Sequence, residues 1–254
     1  ELYYDIRESM LTYRPDSGRY AGAVNISLQV RRDSVVVIRK EWLVPHVVAD
    51  SAVLGLGKQM VGLESVALPP GDYTFVVHSY DVNEPARKDS FSFPLPVTLY
   101  PDDREVLSDI ELSTSIQSSS NTQSIFYKNT LEVVPNASRL YGSGLSMMYY
   151  YVEVYNLARG QQKSNLTVHT AIVDAAGREV LTKDKSKPRT HNSSVEMGTM
   201  NLSALKSGTY LFRMTLLDSA KNPLATTGKK LFVYKPGSPV DPGLNHGQET
   251  GDHR

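Results

Sequence analysis

Leu68-Pro-Pro-Gly71-Asp-Tyr73, with Asp81 eight residues after the tyrosine, recurs as Leu205-Lys-Ser-Gly208-Thr-Tyr210, with Asp218 again eight residues on. Every landmark is displaced by the same 137 positions. Gly71 and Gly208 provide for a turn that β-branched residues resist. Pro69 and Pro70 keep the approach out of helix. Beyond each corner the apolar positions alternate. Tyr210, Phe212, Met214 and Leu216 share one face in the second copy, and Tyr73, Phe75 and Val77 take the same positions in the first. Period-two patterning of this length describes a half-buried strand.

A leucine, a glycine turn and a tyrosine that opens a strand make up the corner between adjacent strands of immunoglobulin-like and fibronectin-like sandwiches. There the tyrosine buries its ring and its hydroxyl binds nearby backbone. Leu68, Gly71, Tyr73, Leu205, Gly208 and Tyr210 are therefore structural residues. The fold class that follows is all-β, with two tandem immunoglobulin- or fibronectin-like sandwich domains and a Pro/Gly-rich C-terminal tail. The boundaries read as domain 1 over 1–100, a linker at 101–106, domain 2 over 107–235, and a tail at 236–254.

The rest of the chain agrees with this. Val24, Ile26, Leu28 and Val30 alternate with polar residues, Arg31 to Ser34 turns, and Val35 to Trp42 returns as the other arm of a hairpin. Leu166 to Val173 forms a second hairpin arm, turned by Asp174-Ala-Ala-Gly177. Gly55, Gly57 and Gly62 match neither the phosphate-binding nor the dinucleotide spacing. Pro236, Gly237, Pro239, Pro242 and Gly243 mark linker-like composition.

Composition narrows the function. Lys plus Arg equals Asp plus Glu at 27 each, so no electrostatic footprint for nucleic acid appears. No apolar stretch approaches the roughly 20 residues of a bilayer span. Cysteine is absent, which removes disulfides and thiolate metal sites. The six histidines fit no metal spacing, and no Gly-x-Ser-x-Gly elbow occurs. No cofactor motif is present. Asp102, Asp103 and Asp109 carry the oxygen chemistry of a calcium site without its loop signature, and a solvated acidic linker is the better reading of them.

The most informative surface is the strand at 147–157. With Met148, Tyr150, Val152 and Val154 inward, Tyr149, Tyr151 and Tyr155 point outward. Tyrosine is enriched at protein interfaces and serves as a stacking platform. The stripe therefore packs under a loop or the other domain, contacts a protein partner, or stacks on carbohydrate.

Leu107-Ser-Asp-Ile-Glu-Leu112, Phe126-Tyr-Lys-Asn129, Val133-Val-Pro-Asn136 and Tyr151-Val-Glu-Val-Tyr-Asn-Leu157 resemble the N-terminal region of GWxTD-domain proteins. These are exported proteins of the Bacteroidetes–Chlorobi–Ignavibacteria group. The resemblance covers about residues 1–236 and is more specific in the second half. The Gly-Trp-x-Thr-Asp motif itself is absent, and the only tryptophan is Trp42. The resemblance implies bacterial export, an extracytoplasmic location and sandwich domains, and it brings no catalytic residue. The expected function is a non-enzymatic structural or protein-interaction protein that self-associates or binds a protein partner. The alternatives are a polysaccharide- or ligand-binding accessory module and the non-catalytic arm of a larger protein.

Overall fold

A computed structural model describes residues 1–50, 58–159 and 165–237. Gly55, Gly57 and the tail beyond Gly237 lie outside the described residues. The chain is all-β and divides into two compact units, Glu1–Leu99 and Tyr100–Arg254.

Unit 1 contains β1 (Leu2–Arg7), β2 (Arg14–Asp16), β3 (Arg19–Arg32), β4 (Val35–Val48), β5 (Gln59–Glu64), β6 (Gly71–Asp81) and β7 (Glu84–Val97). One sheet runs β4-β3-β6-β7, with β2 added to β3, and the other is the antiparallel pair β1–β5. The alternation read in sequence holds: Val24, Ile26, Leu28, Val30, Tyr73, Phe75 and Val77 are buried together. Leu2, Tyr4, Ile6 and Met60 of the small sheet pack on this core without being fully enclosed.

Unit 2 contains β8 (Val106–Leu107), β9 (Glu111–Ser118), β10 (Tyr127–Lys128), β11 (Leu131–Pro135), β12 (Leu140–Gly142) and β13 (Met147–Tyr155). It continues with β14 (Leu166–Val173), β15 (Glu179–Lys187), β16 (Ser194–Asn201), β17 (Gly208–Leu217) and β18 (Pro223–Tyr234). One sheet is ordered β10-β11-β9-β13-β16, with β8 also on β13, and the other β12-β18-β17-β14-β15. Between them lies the larger core, with Met148, Val152, Val154, Ile172, Phe212, Met214, Leu216 and Leu231 fully enclosed.

The repeated corner is a tyrosine corner in both units. The Tyr73 hydroxyl donates to the Pro69 carbonyl at 2.9 Å, and the Tyr210 hydroxyl to the Lys206 carbonyl at 3.1 Å. Each bond reaches back four residues and closes the loop before the strand. The two aspartates also share a role. Asp81 accepts the amide of Asn83 at 2.9 Å, and Asp218 accepts those of Ala220 and Asn222 at 2.8 Å, so each caps the hairpin after its strand. The glycines differ: Gly71 has φ +156°, whereas Gly208 is absent from the positive-φ residues, so no left-handed turn explains it.

The expected linker is corrected. Residues 101–106 are fixed to unit 2. The Asn156 amide donates to the Pro101 and Arg104 carbonyls at 2.9 Å each, and Glu105 pairs with Arg189. Val106 and Leu107 are buried strand residues on β13. The polar composition of this stretch reflects capping and pairing to residues more than fifty positions away.

Candidate functional site

The tyrosine stripe comes from β13, whose alternation places Tyr149, Tyr151, Glu153 and Tyr155 on one face. Tyr151 lies on the face away from the main core, as the alternation reads, but it is covered there and only 4% exposed. It packs with Leu131 and Val133 of β11, and with Ile116 and Val195, in a small second core. Sequence alternation misses this cover because β9 and β11 shift register between Val134 and Pro135, which brings their apolar residues to the Tyr151 side. Tyr149 and Tyr155 are half-buried.

Around Tyr151 lies a polar network. Its hydroxyl donates to Glu153 Oε1 at 2.7 Å, and the Tyr155 hydroxyl donates to Glu153 Oε2. The Asn129 amide bonds to Tyr151 and donates to Glu153 Oε1 at 3.1 Å. Lys128 pairs with the buried Glu111 carboxylate at 2.7 Å and lies 5.8 Å from the Tyr151 ring centroid. The Tyr100 and Tyr155 rings meet at 5.9 Å. Asn129 and Thr130 sit at φ 47° and 64° in the two-residue turn between β10 and β11, so the network anchors a strained hairpin tip. Burial, reinforced by Glu153, pushes the Tyr151 and Tyr155 hydroxyls well above the usual phenol range. Held as protonated donors, they stabilise a carboxylate and are unsuited to nucleophilic attack. The enclosure of Tyr151 also removes the central ring of any stacking platform.

On the opposite sheet, the β14–β15 hairpin sets His169 beside Asp184. Nδ1 lies 2.6 Å from Asp184 Oδ1 and Nε2 3.3 Å from Glu179 Oε1, while Arg213 pairs with Glu179. His169 is thus held between two carboxylates. The Asp174–Gly177 turn alone does not give this pairing: a register shift between Ile172 and Val173 brings Asp184 opposite His169. Asp184, ahead of Glu179, raises the His169 pKa above the ordinary imidazole value. A raised folded-state pKa contributes stability that is complete below the unfolded value of about 6.5 and is lost as pH rises through the folded value. The difference in urea midpoint between wild type and His169→Asn is therefore expected to be largest just below pH 6.5 and to shrink as pH rises beyond it. A pH-independent difference would refute this assignment. His78, by contrast, is exposed.

Unit 1 holds a cluster that sequence reasoning missed, since its contacts join residues 33 or more positions apart. His46 Nδ1 lies 2.8 Å from the Tyr13 hydroxyl and Nε2 lies 3.2 Å from Glu8 Oε1. Asp81 accepts the Thr12 amide at 2.6 Å. Burial, then Glu8 and Asp81, push the Tyr13 hydroxyl up. The cluster ties the connection after β1 to the end of β4. Asp102, Asp103 and Asp109 are exposed, and among the described residues no group of three or more His, Asp or Glu is arranged to hold a metal.

The outer face of unit 1 is unusually apolar. Leu43 and Tyr80 flank Asn25 in one cross-strand row, and Val47 stands opposite Ala21. Leu43 and Val47 are each 53% exposed, and Tyr80 and Val82 are exposed beside them.

No family model and no curated protein matches the chain. Solved structures do match at low identity. Dimeric latent PorU from Porphyromonas gingivalis is 12% identical with a TM-score of 0.30, over 90% of this chain and 20% of that one. A calcium-binding mutant of Bacteroides uniformis β-glucuronidase 2 is 10% identical with a TM-score of 0.31, over 90% and 26%. Bifidobacterium dentium β-glucuronidase complexed with coumarin-3-O-glucuronide is 10% identical with a TM-score of 0.28, over 91% and 38%. The chain spans less than two thirds of each of these proteins, and at such TM-scores their activities carry no argument here. No helix among the described residues is long and apolar enough to cross a membrane.

Proposed function

We propose that this is a non-catalytic, exported bacterial protein whose sandwich units make protein–protein contacts, self-association included. The observation that carries this reading is the apolar outer face of unit 1, where Leu43, Val47, Tyr80 and Val82 are exposed together. Scattered exposed leucines and valines are ordinary, but neighbouring ones on one sheet face mark a contact surface. The edges of this sheet are poor alternatives. Pro45 on β4 and Pro94 and Pro96 on β7 interrupt the donor rows of its two outermost strands. Contact through this sheet is therefore made by its face. Export rests on the resemblance to GWxTD-domain proteins. The polar clusters support a non-catalytic reading, because their carboxylates and hydroxyls bond to one another.

Sedimentation equilibrium tests the self-association. The wild-type chain should exceed its monomer mass of 28.2 kDa as concentration rises. Leu43→Lys combined with Val47→Lys should return it to that mass. A wild-type monomer at every concentration would remove self-association.

A further inference from the structure

The β6–β7 hairpin of unit 1 is irregular near its tip. Tyr80 stands opposite Lys88, yet Asp81, the next residue, stands opposite Glu84. Pro85, Ala86 and Arg87 are therefore extra residues on β7, with none across from them on β6. All of Glu84–Ser90 is exposed, so the bulge packs nothing into the core. A bulge on an outer strand re-aims the side chains around it. Here it is held in place. Arg87 Nη1 donates to Thr12 Oγ1 at 3.3 Å and lies 4.0 Å from Asp81 Oδ2, and Arg14 Nη2 donates to the Asn83 carbonyl at 2.7 Å.

Beside the bulge lies a hollow of about 610 Å³, a volume typical of small-ligand sites. Tyr80 and Pro85 line it together with His78, Lys88, Asp89 and Ser90. Tyr80 is 39% exposed, unlike the enclosed Tyr151. In its cross-strand row it stands between Lys88 and Asn25, and in the next row His78 stands between Ser90 and Ser27. Among the described residues, no hydrogen bond or ion pair within the protein engages the side chains of Asn25, His78 or Tyr80. The clusters around Glu153 and His169, in contrast, are closed upon themselves.

The lining discriminates among ligands. It joins the Lys88 ammonium to the Asp89 carboxylate, so a simple anion or cation is attracted by one and repelled by the other. An aromatic or aliphatic side chain would cover Tyr80 and Pro85, but it would strip water from Lys88 and Asp89 and replace none of their bonds. A pyranose ring meets both demands. Its C–H face matches the ring of a tyrosine, and its hydroxyls, each a donor and an acceptor, answer an ammonium, a carboxylate and an imidazole alike. We infer that this hollow is a saccharide-binding site, in which a pyranose ring stacks on Tyr80 and its hydroxyls bond to Lys88, Asp89 and His78. The hollow lies on the β7 side of Tyr80, whereas Leu43 and Val47 lie toward β4. The inference thus adds a ligand to the protein-contact reading without resting on it.

The test is saturation-transfer-difference NMR of the full chain with the methyl glycosides of β-glucose, β-galactose, α-mannose and β-N-acetylglucosamine as separate probes, and with N-acetylphenylalaninamide as an aromatic control. At least one glycoside should receive saturation at its ring C–H protons. Tyr80→Ser should weaken its binding roughly tenfold or more, and Tyr80→Phe should keep it, because the ring face makes the contact. Lys88→Ala, at an exposed position, should weaken it too. No saturation of any of these glycosides would overturn the inference. So would saturation undiminished in either Tyr80→Ser or Lys88→Ala, which would place the sugar elsewhere. Saturation of the phenylalanine amide and of no glycoside would also overturn it, marking a pocket for a partner's aromatic side chain. Leu43→Lys with Val47→Lys should leave the glycoside signal unchanged whatever it does to the mass, so the two ideas fail separately.

Discussion

Glu196→Ala should destabilise unit 2 by about 3–5 kcal/mol, the cost of leaving one member of a buried ion pair without its partner. Glu196 lies on β16 and Lys187 at the end of β15, so their contact joins the two sheets at one margin. Both side chains are buried, and Lys185 reaches the other carboxylate oxygen at 3.1 Å. Removing the carboxylate abandons the Lys187 ammonium in the interior. Replacing both partners with apolar residues, Glu196→Leu with Lys187→Met, should recover most of the loss, because an apolar pair needs no compensation. Urea unfolding followed by far-ultraviolet circular dichroism measures both. Trp42, the only tryptophan, belongs to unit 1, so its fluorescence transition should not move. A single-variant loss below about 1 kcal/mol would show the pair to be solvated.

Gly142→Ala is the second large effect. Gly142 pairs in parallel with Tyr234 and has φ +135°, and a Cβ there would lie 1.8 Å from the Tyr234 carbonyl oxygen. Neither backbone can yield while the strands stay paired. β12 must lift from β18, and Tyr141, buried with its hydroxyl donating to the Ser113 carbonyl at 3.1 Å, is drawn out with it. The expected cost is about 3–5 kcal/mol, comparable to truncating a buried aromatic. Limited proteolysis should show early cleavage near Tyr141 in this variant, and a cleavage pattern like that of wild type would contradict the argument.

What the sequence makes legible here is what is local. Alternation over Val24–Val30 and Tyr210–Leu216 identifies core faces because each strand has one solvated side. The 137-residue repeat is visible because it spans a corner, a strand of fixed length and a hairpin cap, each set by a few adjacent residues. The parts that escaped depend on distant partners. Tyr151 reads as outward because its cover, Leu131 and Val133, reaches it through a register shift that no periodicity announces. Residues 101–106 read as a linker because Glu105 shows no partner until Arg189 arrives 84 positions later. The His169 cluster belongs with them: reading back from its turn pairs His169 with Lys183, and only the register shift between Ile172 and Val173 brings Asp184 opposite.

Among the described residues β1 pairs with β5 alone, whereas β13 lies between β9 and β16. Hydrogen–deuterium exchange of the full chain alone compares the two most directly, by setting segment Leu2–Arg7 against Met147–Tyr155. The account expects β1 to exchange roughly tenfold or more faster than β13, because β13 is flanked on both sides and enclosed while β1 stands at the margin of a two-stranded sheet. Equal, slow exchange in the two segments would contradict this difference in flanking between β1 and β13.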